Sequence, residues 1–149
     1  MIVLNSTNIK EIKKVVSSIH MGNLLYKSYI KKADDQALRG ELAKVLERFE
    51  KHVDEFKKLA NKFNVKNIER LNLRQEAVLN FQLLKQYKTD FDILADALRG
   101  LNMGTIGMLD FIYKNGEMDQ SIKKYAEGVL KDYDILKERL HKFGVETYC

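Results

Sequence analysis

Apolar residues recur at alternating spacings of three and four along two long segments, which is the pattern of one buried face of an α-helix. In the first segment these apolar positions are Leu42, Leu46, Phe49, Val53, Phe56, Ala60 and Phe63. In the second segment they are Ile122, Ala126, Val129, Tyr133, Leu136, Leu140 and Phe143. Asn64 and Gly144 follow directly, and both residue types tolerate the left-handed conformation that ends many helices. The pattern predicts two amphipathic helices that end at these two residues.

A helix with a weaker apolar seam precedes each of these two. We expect the first helix to begin at Thr7 or Asn8, because Asn8 and Glu11 have the spacing of a capping box. It should run to about Lys32, where a polar turn follows. We expect the third helix to occupy 89–114, because an Asn-Gly pair comes next. The chain therefore predicts two helical hairpins.

The two hairpins match each other in sequence. Gly22 of the first helix is followed 82 positions later by Gly104 of the third, within the similar triplets His-Met-Gly and Asn-Met-Gly. In the second half of each hairpin the offset is 80, and Phe49–Asp54 aligns with Val129–Asp134. Self-similarity at a fixed period indicates duplication of one structural unit. We therefore predict an internal helical-hairpin repeat.

The segment between the two copies, 66–88, is too long for a tight turn between neighbouring helices. The apolar residues that indicate a short helix in its middle are Ala77, Val78, Phe81, Leu83 and Leu84. A connection of this length allows the chain to cross the bundle, so that the second and third helices run parallel. We predict one all-α four-helix-bundle domain over 1–149, with the first copy at 7–65 and the second at 89–145.

Three sequence features connect the chain with a known family. They are Gly22 with Tyr26 in the first helix, Gly104 in the third, and the run Glu127–Asp134 in the fourth. On these features, nearly the whole chain resembles a bacterial ferritin-like family of unknown function, related to rubrerythrin-type bundles and to spore-coat-like proteins. The resemblance implies a ferritin-like four-helix bundle with a long crossover between helices 2 and 3. It also implies a sporulation or stress context without a defined activity.

The composition agrees with a single helical domain. The chain is 45% hydrophobic and 32% charged, and it contains no proline, the residue that most often breaks helices. It has no run of the ~18 apolar residues that a membrane span needs, and its first residues lack the pattern of a secretory signal. We therefore expect a cytoplasmic protein. Cys149 is the single cysteine and is expected to be a free thiol without a catalytic role.

The net charge is +5, from 26 Lys and Arg against 21 Asp and Glu. A positive charge can favour nucleic acid as a partner. Most lysines, however, lie close to carboxylates along the helices, which is typical of a solvated surface. The basic stretch from Lys57 to Lys66 lies around the end of the second helix, where cations offset the helix dipole. A nucleic-acid-associated protein is therefore an alternative hypothesis.

A di-iron ferritin-like centre needs inward carboxylates on two helices and an inward Glu-x-x-His on each of the other two. The first helix has no Asp or Glu between Lys14 and Lys32, and Phe49 stands three residues before His52 where a glutamate is required. Glu138 and His141 have the required spacing but lie off the apolar seam. We therefore expect no di-iron centre and no cofactor, and we favour a protein that is not an enzyme. The alternative is a metal-binding or iron-handling oxidoreductase of ferritin-like type.

A single metal ion is the remaining metal hypothesis. His52, Asp110 and Asp132 are its candidate ligands, provided that the rotations of the helices bring them together. Asp110 lies in an otherwise apolar run, and a carboxylate that is buried there needs a partner. A structural hydrogen bond or salt bridge is the simpler explanation for Asp110, and a structural role is the simpler one for His20 and His52.

Gly22 and Gly104 occupy equivalent places inside two predicted helices. A glycine costs about 1 kcal/mol relative to alanine inside a helix, so we expect each to permit close packing or to receive a bulky side chain. Met21 and Met103 beside them are expected to fill gaps in that packing. A small-molecule niche at the centre of the bundle is the alternative explanation.

The function that these features favour is protein association by a non-enzymatic bundle, as a homo-oligomer or with another protein. The centre of the bundle is predicted to bury together Phe49, Val53, Phe56, Val129, Tyr133 and Leu136. Tyrosines at helical spacing are expected to be core aromatics whose hydroxyls reach the surface, namely Tyr26, Tyr29, Tyr113, Tyr125 and Tyr133.

Overall fold

Five helices make up the computed structural model, which describes residues 6–66 and 70–149. They are α1 (Ser6–Lys32), α2 (Gln36–Lys62), α3 (Leu73–Leu83), α4 (Asp90–Lys114) and α5 (Gln120–Tyr148). No residue of these two ranges belongs to a strand. The all-α class is therefore confirmed, as is a short helix in the predicted crossover.

Side-chain caps fix the starts of four helices. Asp35, Thr89 and Asp119 each accept a hydrogen bond from a backbone N–H in the first turn of α2, α4 and α5. At the start of α3, Asn72 and Gln75 exchange hydrogen bonds between side chain and backbone in a capping box. Such caps satisfy amides that have no partner within the helix. The capping box predicted at Asn8 is wrong, because α1 already begins at Ser6.

The ends of α2 and α5 differ from each other, contrary to prediction. Asn64 follows α2 with a φ of 58°, the left-handed conformation expected there. Gly144, in contrast, lies inside α5, which continues to Tyr148. A Cβ atom at Gly144 would lie 2.8 Å from Cδ2 of Leu94 on α4. This glycine therefore serves close packing between α4 and α5 and does not end the helix.

Hydrogen bonds at the two ends of the bundle define the chain direction. The Asp90 carboxylate, at the start of α4, accepts from the backbone N–H groups of Asp34 (3.0 Å) and Asp35 (2.8 Å) in the turn between α1 and α2. At the opposite end, Asn8 Nδ2 donates to Asn115 Oδ1 at 2.7 Å. Helix α4 is therefore antiparallel to α1 and runs in the same direction as α2.

The crossover returns along the outside of α1. Gln75 Nε2 donates to Ser17 Oγ at 3.0 Å, and Lys32 Nζ donates to the Leu83 carbonyl at 2.8 Å. These bonds hold both ends of α3 against α1. Leu79 is the one buried residue of α3, so most of this helix is a surface layer.

The bundle core is one apolar cluster to which all four long helices contribute. The six residues predicted to be buried together are all in it: Phe49, Val53, Phe56, Val129, Tyr133 and Leu136. Leu46 and Phe63 of the predicted α2 seam are only partly buried and pack against the cluster. The heptad pattern therefore identified the inner faces of α2 and α5 correctly.

Candidate functional site

Gly22 and Gly104 each accommodate an aromatic ring from the adjacent helix of the hairpin. A Cβ at Gly22 would lie 3.2 Å from Phe49 Cε2, and a Cβ at Gly104 would lie 3.2 Å from Tyr133 Cε2. The rings of Phe49 and Tyr133 meet edge to face, with their centroids 5.8 Å apart. The expectation that both glycines receive bulky side chains is therefore confirmed.

A cleft of about 420 Å³ opens between α1 and α4 above these rings. Phe49, Tyr133 and Tyr26 form its floor, and three glycines of α4, Gly100, Gly104 and Gly107, contribute to one wall. Because glycine has no side chain, the space above the floor stays open. The volume falls in the range of about 300–1,000 Å³ that is typical of small-molecule sites.

The polar groups of the cleft differ in whether they have partners. Tyr26 is buried, and its hydroxyl donates to the Ala97 carbonyl at 2.7 Å. The Ser18 hydroxyl donates to the Lys14 carbonyl at 2.8 Å. Tyr133 is only 3% exposed, yet no residue in the described part of the chain forms a hydrogen bond with its hydroxyl. Among the aromatic floor residues, Tyr133 therefore offers a polar atom without a protein partner.

Burial and the nearby Asp132 carboxylate raise the pKa of Tyr133 well above its ordinary value. The phenol is therefore neutral at physiological pH and carries a proton that it can donate. Sequence patterns identified Tyr133 as a core residue but gave no sign that its hydroxyl lacks a partner. The ring lies under the cleft, and its hydroxyl oxygen opens into that cleft.

Asp96 closes one end of the cleft, where this buried carboxylate pairs with the more exposed side chains of Lys85 and Arg99. Its Oδ2 accepts from Lys85 Nζ at 2.8 Å and from the Tyr87 hydroxyl at 2.7 Å, and its Oδ1 accepts from Arg99 at 2.6 Å. Burial raises the pKa of Asp96, but these three hydrogen bonds outweigh that effect and hold it below its ordinary value. Sequence analysis missed Asp96, although its spacing of three residues from Arg99 within an apolar helix could have indicated it.

Asp110, the carboxylate that the sequence singled out on α4, lies on the rim of the cleft near its other end. Its side chain is partly exposed and pairs with Lys114 one helical turn later, at 3.0 Å. A salt bridge is therefore its role, as expected. The supposition that Asp110 could join His52 and Asp132 in a metal site is wrong, because no group of three His, Cys, Asp or Glu residues with metal-site geometry occurs within 6–66 and 70–149.

His52 and Asp132, in contrast, do meet. His52 Nε2 lies 3.3 Å from Asp132 Oδ2 between α2 and α5, and Nδ1 lies 3.3 Å from the Tyr125 hydroxyl. His52 is buried, while Asp132 also lies 3.8 Å from Arg48. Burial lowers the pKa of His52, and the attraction of Asp132 offsets this effect only in part. Two of the three candidate ligands therefore form a structural contact between helices.

Other residues named from the sequence lie at the surface. Glu138 and His141 are both exposed, as expected from their position off the seam. Met103 and Tyr113 are also exposed, so the expectation that they fill the core is wrong. Together with Ile106 and Leu109 they form an apolar surface on α4, which we call the α4 face.

Comparison with protein-family models, with curated proteins and with solved structures gave no match for this chain. Within the described ranges, no helix has both the length and the apolar character that a membrane crossing requires.

Proposed function

We propose that this chain is a non-enzymatic, ferritin-like bundle that acts by protein association and pairs with a second copy of itself through the α4 face. The observation that carries the proposal is the exposure of this face. Met103 is 72% exposed, Ile106 59% and Tyr113 87%. Contiguous apolar patches of this kind are uncommon on monomers and typically mark interaction sites. Methionine and tyrosine are also enriched in protein interfaces.

Charge supports a second copy as the occupant. In an antiparallel contact of two α4 helices centred between Met103 and Ile106, Arg99 of one copy lies opposite Asp110 of the other. Arg99 is 71% and Asp110 42% exposed, and both also pair within the chain, Arg99 with Asp96 and Asp110 with Lys114. A two-fold contact uses the same patch twice and therefore requires a self-complementary surface. The α4 face meets this requirement with an apolar centre and opposite charges at equal distances from it.

The ferritin-like topology and the internal repeat belong to the same proposal. The parallel course of α2 and α4, with α3 in the connection, agrees with a ferritin-like crossover. The repeat is supported by the contact of His52 with Asp132, its equivalent at the offset of 80 positions. Gly22 and Gly104 also each receive a ring, but Phe49 and Tyr133, which supply these rings, are not equivalent at that offset. Contact between equivalent residues is expected next to a pseudo-two-fold axis. We further propose a cytoplasmic location, with the sporulation or stress context that the family resemblance implies.

Two isoleucine substitutions test the association. Ile106→Glu introduces a charge into the centre of the α4 face, and Ile135→Glu introduces the same charge on α5, where Ile135 is similarly exposed at 62%. Size-exclusion chromatography with light scattering should give a dimer for the wild type and for Ile135→Glu, and a monomer for Ile106→Glu. Equal behaviour of the two variants would contradict the α4 face as the contact surface.

A further inference from the structure

The cleft between α1 and α4 has the shape of a slot with an aromatic floor. The Tyr26 and Phe49 rings meet edge to face with centroids 5.1 Å apart, and Phe49 meets Tyr133 in the same way. Edge-to-face contacts fix the three rings relative to one another. The floor is therefore a preformed apolar surface.

Three glycines line the α4 side of the cleft, beside longer residues such as Met103 and Met108. A Cβ at Gly100 or at Gly107 would have no neighbouring atom within 4 Å. These two glycines are therefore not required by packing within the chain, although glycine is less favourable than alanine inside a helix. A bound molecule could occupy the open space beside Gly100 and Gly107.

The Tyr133 hydroxyl supplies an independent observation. The residue is 3% exposed, lines the cleft, and forms no hydrogen bond with any described residue. Its hydroxyl oxygen lies 3.7 Å from the position of a Cβ on Gly104, beside the glycine wall. The hydroxyl oxygen is not one of the fully buried polar atoms that lack a partner in the described ranges, so it opens into the cleft. A ligand that accepts a hydrogen bond can therefore reach it.

We infer that the cleft binds a flat, largely apolar organic molecule that carries a carbonyl or similar acceptor, and that the Tyr133 hydroxyl donates to this acceptor. The rings of the floor provide stacking and edge contacts, and the glycines of α4 leave open space beside them. The elevated pKa of Tyr133 keeps the phenol protonated, so it acts as a donor.

All residues that line the cleft belong to one chain, and α1, α3 and α4 together with the floor rings surround it. Arg99, Met103 and Asp110 also lie in the proposed α4 contact, so association would cover one rim of the cleft. A monomeric Ile106→Glu variant should retain binding, which separates a failure of this inference from a failure of the proposed association.

Two fluorescent probes test the inference. Prodan is a flat naphthyl ketone and offers the carbonyl acceptor, whereas phenylnaphthylamine has a comparable aromatic body without a carbonyl. Both should bind the wild type saturably, with emission shifted to shorter wavelength. Gly100→Leu fills the slot without a clash at Cβ and should weaken both probes at least ten-fold. Gly128→Leu is the matched control, because Gly128 is an exposed helical glycine with open space outside the cleft.

Tyr133→Phe removes only the hydroxyl and tests its role. It should weaken prodan about three- to ten-fold, the range expected for the loss of one hydrogen bond, and leave phenylnaphthylamine unchanged. Circular dichroism and thermal melting should show that all variants remain folded. The inference is overturned if the wild type binds neither probe, if Gly100→Leu binds as well as Gly128→Leu, or if Tyr133→Phe weakens both probes equally.

Discussion

The imidazole of His52 lies 3.3 Å from the carboxylate of Asp132 across the interface of α2 and α5. The two residues are equivalent in the proposed repeat, although His52 Nε2, which faces Asp132, forms no hydrogen bond within the described ranges. His52 is buried against the rings of Tyr125 and Tyr133, with centroids 6.4 and 6.0 Å away. A histidine buried in this way has a different pKa in the folded and unfolded chain, so the stability of the protein depends on pH.

Stability should fall when the pH drops below about 6.5, the ordinary pKa of histidine. Burial lowers the pKa of folded His52, so the unfolded chain takes up the proton first as the pH falls. The groups that face His52 are Asp132 and Tyr125 from α5, with Arg48, Lys51 and Glu55 on its own helix. Urea denaturation at pH 7.5, 6.5 and 5.5 should give a flatter pH dependence for His52→Gln than for the wild type.

The matched control for this pH dependence is His141→Gln, because His141 is exposed on α5. Its pH dependence should follow the wild type. A wild type that gains stability relative to His52→Gln between pH 7.5 and 5.5 would contradict the prediction. That result would mean that the attraction of Asp132 for protonated His52 outweighs burial.

Phe56→Ala should cost about 3 kcal/mol or more of unfolding free energy, because it removes a large buried ring and leaves a cavity. Phe56 is fully buried, and its centroid lies 4.7 Å from that of Tyr125. Phe81→Ala provides the comparison, since Phe81 on α3 is 73% exposed. Chemical denaturation should show a change of less than about 0.5 kcal/mol for Phe81→Ala. Similar costs for both variants would contradict the assignment of the core.

Gly144→Ala should destabilise the protein by about 1 kcal/mol, because the new methyl group overlaps with Leu94 in a closely packed part of the core. Gly128→Ala, in the same helix but exposed, should stabilise it by about 0.5–1 kcal/mol through helix propensity. Thermal unfolding of the two variants measures the difference. A stabilising Gly144→Ala would show that close packing is not the reason for this glycine.

Asp96→Asn should destabilise the protein by about 1–3 kcal/mol, because Lys85, Tyr87 and Arg99 lose a charged acceptor. Asp134→Asn is the control: this carboxylate is 73% exposed and pairs with Lys137 at 3.4 Å. Exposed pairs contribute little, so the control should change the unfolding free energy by less than about 1 kcal/mol. If Asp96→Asn and the control had the same unfolding free energy, the hydrogen bonds of Asp96 would not contribute to stability.

The sequence was most informative where one face of a helix is apolar and the other polar. The seams of α2 and α5 have this character, and they identified buried residues such as Phe56 and Tyr133 correctly. Helix α4 is apolar on more than one side, so periodicity alone does not distinguish Met108 in the core from Met103 at the surface. The exposure of the α4 face therefore became visible only with the packing of the helices.

Glycine was ambiguous in the sequence for a related reason. A glycine near the end of a helical pattern can adopt a left-handed cap or allow close approach, and only tertiary packing decides between these roles. Gly144 allows the close approach of α5 to Leu94 on α4. The free hydroxyl of Tyr133 was equally beyond prediction, because satisfaction of a polar atom depends on its neighbours in space and not on its neighbours in the chain.

Sedimentation equilibrium of the wild-type protein over a range of concentrations tests the central claim most directly. The account predicts a mass that approaches twice the 17.4 kDa of the chain, together with a return to the monomer mass in Ile106→Glu. A wild type that stays at 17.4 kDa at the highest concentration, or a dimer that Ile106→Glu leaves intact, would contradict association through the α4 face.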